Sequence, residues 1–182
     1  MRIILLRHSE SISNKKDKAD SQIDSGLTAQ GKEDAQKLIS KLKNLKIDLF
    51  IISPLKRNLQ TIQPFLSTIN KPKVIVEDIT LERNLGDFTG SEMGAFQRYC
   101  DENKLDKVFY KPENGESIAD TYERAKKFLR SLKKYSDKTI LVCGHKNFLM
   151  CLEVLIKGED IRDYYNFIPL KNSEIREFEI KI

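Results

Sequence analysis

The stretch Ile3-Ile4-Leu5-Leu6-Arg7-His8-Ser9-Glu10-Ser11 sets a short, unbroken apolar run directly against an arginine and a histidine. Four apolar residues in succession are too few to span a membrane and too continuous for a strand with one wet face. The run therefore predicts a central strand of a parallel sheet covered on both sides. In open sheets of that kind ligands bind beyond the carboxyl ends of the strands, which puts Arg7 and His8 at the binding edge. The guanidinium offers a planar fork of donors suited to phosphate or carboxylate; the imidazole offers a nucleophile or a proton carrier.

The chain has two histidines, and the other, His145, ends a second apolar run, Thr139-Ile140-Leu141-Val142-Cys143-Gly144-His145. A lone histidine in such a place is most often a hydrogen-bonded structural residue. A pair at two strand ends, with Arg7 attached, points to chemistry instead.

A length of 182 residues predicts a single domain, residues 1–182, able to bury a core without disulfides. The composition, 40% hydrophobic and 32% charged, is that of a soluble globular chain. No signal peptide or membrane span is read, and the expected location is cytoplasmic. Three cysteines without metal-ligand spacing, Cys100, Cys143 and Cys151, suit a reducing compartment. The net charge of +5 is spread over helix-like segments without interleaved aromatics, so nucleic acid is not an expected partner.

Residues 11–26 read as a polar loop walling the site, and Thr28 as the N-cap of a packing helix. The next strand spans Ile47 to Ser53; Pro54 opens the helix after it, with Arg57 in the first turn as a second anion-binding group, and Pro64 ends or kinks that helix. A strand over 73–77 leads to a Gly86/Gly90 loop presenting Glu82. Residues 91–114 form a short, partly helical lid, its length exceeding an ordinary connection. Ser117 caps a helix to about Lys134 with Ala119, Tyr122, Ala125, Phe128, Leu129 and Leu132 inward. An apolar helix from about 147 to 156 follows His145, and the alternating tail 173–180 reads as an edge strand. The expected fold is a three-layer α/β/α sandwich on a mostly parallel sheet.

With these pieces placed, the chain resembles the histidine phosphatase superfamily, the phosphoglycerate-mutase-like proteins, over nearly its whole length. Arg7-His8-Ser9-Glu10-Ser11 with Asn14 is similar to the family's Arg-His-Gly-Glu-Thr signature and following asparagine. Ser53-Pro54-Leu55-Lys56-Arg57-Asn58-Leu59-Gln60-Thr61 is similar to its Ser-Pro-Leu-x-Arg-x-x-Gln-Thr segment. Leu81-Glu82 with Gly86 and Gly90 resembles its acidic loop, Asn114-Gly115-Glu116-Ser117 its Gly-Gly-Glu-Ser turn, and Gly144-His145 its second Gly-His.

The resemblance implies that His8 attacks phosphorus and becomes a phosphohistidine, that Arg7, Arg57 and His145 hold the transferring group, that Glu82 protonates the leaving oxygen, and that Asn14 adds a phosphate contact. It implies a metal-independent phosphomonoesterase of the phosphatase branch, acting on a small phosphorylated metabolite with no cofactor. Ser9 stands where the family usually has glycine, altering the turn or setting a hydroxyl against substrate. Lys146 replaces the glycine after His145, reaching an anionic substrate or pointing to water, and Thr89 replaces a frequent glutamate. Specificity is assigned to Arg83, Phe96, Arg98, Tyr99 and Lys111. The competing functions are a cofactor-dependent phosphoglycerate mutase, against which stand the short lid and the lack of an Arg-Arg dipeptide, a protein phosphohistidine phosphatase, and a phosphate-ester binding module without turnover.

Overall fold

In a computed structural model describing residues 1–180, five strands form one sheet in the order β3-β2-β4-β1-β5. The strands are β1 (Arg2–Arg7), β2 (Leu49–Ile52), β3 (Val74–Val76), β4 (Thr139–Gly144) and β5 (Ile175–Glu179). All pairs are parallel except β1 with β5. The tail is thus the edge strand that its alternating pattern predicts, and it runs antiparallel to β1. Its far end is tied by the exposed pair Arg2 and Glu177.

Because side chains alternate across a strand, each apolar run fills both faces. Ile3, Leu5, Ile51, Ile140 and Val142 pack on one side against helices α5 (Ile118–Ser131) and α6 (Lys146–Lys157). Ile4, Leu6, Phe50, Ile52, Leu141 and Cys143 pack on the other against α2 (Ala29–Leu42) and α3 (Lys56–Leu66). The layers are helix, sheet, helix. Among the described residues no helix is long and apolar enough to cross a membrane.

Local signals set the boundaries. Thr28 and Ser117 cap α2 and α5 with their side-chain oxygens on the backbone N–H three residues on. Several expectations are corrected. Pro54 lies outside α3, which begins at Lys56 after Leu55; the chain needs an extended residue to turn out of β2. Pro64 does not end α3 but sits inside its last turn, before Leu66, where it removes only one late backbone bond while Ile62 and Phe65 anchor the helix in the core. Residues 11–26 are not a plain loop: Ser11 and Asn14 close a capping box on a short helix, α1 (Ile12–Lys15), and Ala19, Asp20 and Ser21 are buried. On α5 the buried face is Ile118, Thr121, Ala125 and Phe128; Ala119, Tyr122 and Leu129 are only half-buried. The lid contains one helix, α4 (Ala95–Glu102).

One close approach ties the fold to the site. A Cβ on Gly31, in the first turn of α2, would lie 2.2 Å from the carbonyl oxygen of Glu10, two residues beyond His8. Gly31→Ala is therefore expected to cost about 1–3 kcal/mol through overpacking, measured as a fall of several degrees in Tm, because the backbone of Glu10 cannot swing aside as a side chain would.

Candidate active site

The site lies beyond the carboxyl ends of β1 and β4, whose last pairing sets Arg7 opposite Gly144. The His8 N–H continues the ladder to the Gly144 carbonyl at 3.1 Å, so the two histidines leave adjacent strands side by side, ring centroids 5.2 Å apart. His8 Nδ1 lies 2.8 Å from the Ser9 carbonyl oxygen, which can only accept. The ring proton is thereby held on Nδ1 and the lone pair on Nε2.

Two guanidiniums line the same cavity as this ring. Arg7 donates from Nη1 to the Leu170 carbonyl at 2.8 Å, and Arg57 from Nη1 and Nη2 to the carbonyls of Ile23 and Ser21 at 2.6 and 2.8 Å. Asp20, 3.7 Å from Arg57, is itself braced by the hydroxyls of Ser11 and Ser25. In both arginines the buried Nε has no hydrogen-bond partner among the described residues. Buried donors of this kind are rare unless an acceptor is brought to them, and a phosphoryl oxygen is such an acceptor.

Burial, Arg57 and Arg7 push the pKa of His8 well below its usual 6.5. Burial, then Arg57 and His8, do the same to His145, which is fully enclosed. Both rings are neutral at physiological pH, the state a nucleophilic nitrogen needs.

Glu82 reaches the same cavity from the loop after β3. Its Oε1 accepts from the N–H groups of Arg83, Asn147 and Phe148 at 2.8, 3.1 and 3.3 Å, the last two at the start of α6. A carboxylate at a helix N-terminus satisfies orphan donors and meets a favourable dipole. The loop is braced from outside. Arg124 on α5 donates to the carbonyls of Ile79 and Leu81 at 2.9 and 2.6 Å and forms a forked pair with Glu116 at 2.8 and 3.0 Å. Gly86, at φ +53°, lets the loop press against residues 113–115, where a Cβ would lie 1.9 Å from the Glu113 carbonyl.

Asn14 borders the cavity, but its Oδ1 already accepts from Ser11 N and Asn172 Nδ2, both at 3.2 Å, so its amide N–H groups are what it offers. The Ser9 side chain is not brought into the cavity: it is buried and shares a 2.6 Å hydrogen bond with Ser173. His145 adjoins His8 from behind, with Nε2 2.7 Å from Ser53 Oγ and 2.8 Å from Asn58 Nδ2. Arg83, Phe96 and Lys146 line the cavity, whereas Arg98, Tyr99 and Lys111 do not; Arg98 pairs with Glu92 and Lys111 with Asp120 at the surface. The lid is held down by Phe88, Phe96, Tyr99 and Tyr110, ring on ring, and by backbone bonds from residues 90–93 to residues 17–19.

Sequence reasoning missed Asp20, Asn58, Arg124 and Asn172, the last of which donates to the His8 carbonyl at 2.8 Å. Asn58 alone carried a signal, being next to Arg57; the others are ordinary polar residues until the fold gathers them.

The two neutral histidines make stability depend on pH. The unfolded chain protonates them near 6.5, while the native state does not, so below 6.5 the unfolded state binds more protons and stability falls as pH falls. The expected slope is about 1.4 kcal/mol per pH unit for each histidine. Urea melts at pH 7 and pH 5 should show the loss, and His8→Gln should remove about half of it.

Compared with known proteins, residues 3–181 match the model of the histidine phosphatase superfamily (branch 1). The chain is 28% identical over 176 residues to phosphoserine phosphatase 1 of Hydrogenobacter thermophilus, covering 92% of this chain and 81% of that one. It is 29% identical over 167 residues to a 2,3-bisphosphoglycerate-dependent phosphoglycerate mutase of Bartonella henselae, covering 86% and 81%. The crystal structure of an alpha-ribazole phosphatase from Shigella flexneri superposes with a TM-score of 0.86 at 24% identity, covering all of this chain and 91% of that one. With a match that runs almost from end to end and a histidine pair set at the tips of adjacent central strands, the chain belongs to the histidine phosphatase superfamily.

Proposed function

We propose that this protein, as one domain, hydrolyses a small phosphomonoester through a phosphohistidine on His8, without a metal. The carrying observation is the Nδ1 bond of His8 to the Ser9 carbonyl at 2.8 Å, with buried Nε groups of Arg7 and Arg57, unpartnered among the described residues, on side chains that line the same cavity. In the first displacement the Nε2 lone pair forms the P–N bond as the ester P–O bond breaks, and the carboxylic acid of Glu82 gives its proton to the departing oxygen. In the second, water forms a P–O bond, the Glu82 carboxylate takes its proton, and the P–N bond breaks to restore Nε2 and release inorganic phosphate. Negative charge on the transferring oxygens is met by Arg7, Arg57, His145 and the amide of Asn14. These fixed cations do the work a metal does elsewhere.

The phosphoglycerate mutase reading has relatives of that name behind it. Hydrolysis is favoured by the lid, whose only helix has 8 residues, and by a chain with no Arg-Arg dipeptide to grip a second anionic group in the mutase manner. The lid residues Phe96 and Gln97 line the cavity together with Arg7 and His8. Two further cations border it, without an ion-pair partner among the described residues. Arg83 stacks on Phe96 at 4.1 Å and keeps Nη2 unpartnered, and Lys146 is half-buried beside Arg7, its pKa lowered by burial first and then by Arg7. They favour an ester that carries a second anionic group. The buried free thiols of Cys100, Cys143 and Cys151 suit the cytosol.

Turnover of phenyl phosphate in excess EDTA, an acid-labile phosphoenzyme, and loss of both in His8→Ala are the expected results; activity surviving His8→Ala would sink the mechanism. Phosphate release rather than phosphoryl return to the substrate separates phosphatase from mutase. Lys146→Met should raise KM roughly tenfold for phosphoserine or phosphoglycerate while leaving phenyl phosphate nearly unchanged. Equal effects on both esters would remove the second anionic group from the reading.

A further inference from the structure

We infer that Asn58 is a positioning residue whose side-chain amide locks the proton of His145 on Nδ1, so that this buried ring presents an N–H donor to the transferring phosphoryl group. The inference rests on the phosphoryl-transfer reading for its consequence, but not for the tautomer itself.

His145 has no exposed surface, and Nε2 has two neighbours, Ser53 Oγ at 2.7 Å and Asn58 Nδ2 at 2.8 Å. A serine hydroxyl donates or accepts, so Ser53 alone is content with either tautomer. An amide NH2 only donates. A ring nitrogen 2.8 Å from it must therefore carry the lone pair, and the proton of the neutral ring goes to Nδ1. The same amide nitrogen is 3.4 Å from Nδ1, too long to compete with the shorter bond. The amide is itself oriented from its other end: the Cys143 thiol lies 3.6 Å from Asn58 Oδ1, and burial pushes its pKa up, so the sulfur remains a weak S–H donor facing the carbonyl oxygen. The thiol, the amide and Nε2 of the imidazole form one buried relay in which each donor meets an acceptor.

The alternative, an imidazolium with N–H on both nitrogens, would set an N–H against the amide N–H. It is also opposed by burial and by the charged groups around the ring, Arg57, Arg7 and Arg124, with His8 adjoining. With Nε2 occupied and only the donor Asn58 Nδ2 near Nδ1, at 3.4 Å, the Nδ1–H is left without an acceptor among the described residues, and the acceptor it awaits in this inference is a phosphoryl oxygen held beside His8. Had the proton sat on Nε2, a lone pair would face anionic oxygens. His8 and His145 thus carry the same tautomer for opposite purposes: one exposes a lone pair at Nε2 to attack, the other an N–H at Nδ1 to hold. Asn58 directly follows Arg57 in the first turn of α3, so a single turn supplies a cation and the lock.

The test is long-range ¹H–¹⁵N correlation NMR of the ¹⁵N-labelled full chain at pH 7. It has only two imidazoles to assign, and His8→Gln identifies them by removing one. The expected spectrum shows His145 protonated at Nδ1 and bare at Nε2. In Asn58→Asp the side chain only accepts, so the proton is expected on Nε2, with kcat lowered about a hundredfold, the usual effect of losing one transition-state donor, and KM little changed. Asn58→Leu, which has similar volume and no donor, should give a mixed tautomer and serves if the aspartate variant does not fold. A wild-type ring protonated at Nε2, or a His145 spectrum unmoved by either variant, overturns the lock. A moved proton with unchanged kcat overturns its role in transfer. Since the spectra need no turnover, a protein without phosphatase activity would defeat the functional reading and leave the Asn58 assignment standing or falling on its own.

Discussion

The parallel pairing of β1 with β4 is the constraint on which everything else depends. It runs in register from Arg2 opposite Thr139 to Arg7 opposite Gly144, and the next residue of each strand is a histidine. A slip of one residue would turn every side chain of a strand to the other face of the sheet. The register is secured because both strands are buried on both faces, so each alternate residue has a fixed core to enter. The 5.2 Å between the imidazoles is thus a product of core packing more than of any contact between the rings.

Around that pair the protein concentrates positive charge in a place that water hardly reaches. Arg57 is 1% exposed and Arg83 equally so, and each is held by backbone carbonyls rather than by a full ion pair. Carbonyl anchors orient a guanidinium without cancelling its charge, which leaves the field available to an incoming anion. The same field, added to burial, keeps both histidines neutral. In the proposed mechanism, attraction for phosphate and nucleophilicity at His8 therefore share one cause.

A second ring of residues decides geometry without touching the reacting group. Arg124, paired with Glu116, holds the carbonyls around Glu82, Asp20 steadies Arg57, Asn172 ties the His8 backbone to Asn14, and in the inference above Asn58 sets the proton of His145. The Ser9 hydroxyl belongs to this ring as well. With Ser173 it fastens the nucleophile loop to the approach of β5, which explains in physical terms a serine where the family usually has glycine.

Much of this was legible in the order of residues. Apolar runs ending in Arg7-His8 and Gly144-His145, the caps Thr28 and Ser117, and the glycine-bounded Glu82 loop are local patterns, and local patterns determine strands, helix starts and which groups stand at strand tips. By itself the sequence determined the α/β class and singled out Arg7, His8, Arg57, Glu82 and His145, of which the fold gathers Arg7, His8, Arg57 and Glu82 around one cavity and sets His145 against His8. Only the tertiary structure decided that Ser9 turns inward, that Arg98 and Lys111 stay at the surface while Lys146 enters the cavity, that Pro64 is carried inside α3, and that Asn58 faces a ring 87 residues away. The reason is that periodicity records whether a side chain is buried, whereas hydrogen-bond partners and charge fields arise between segments whose separation along the chain carries no distance in space.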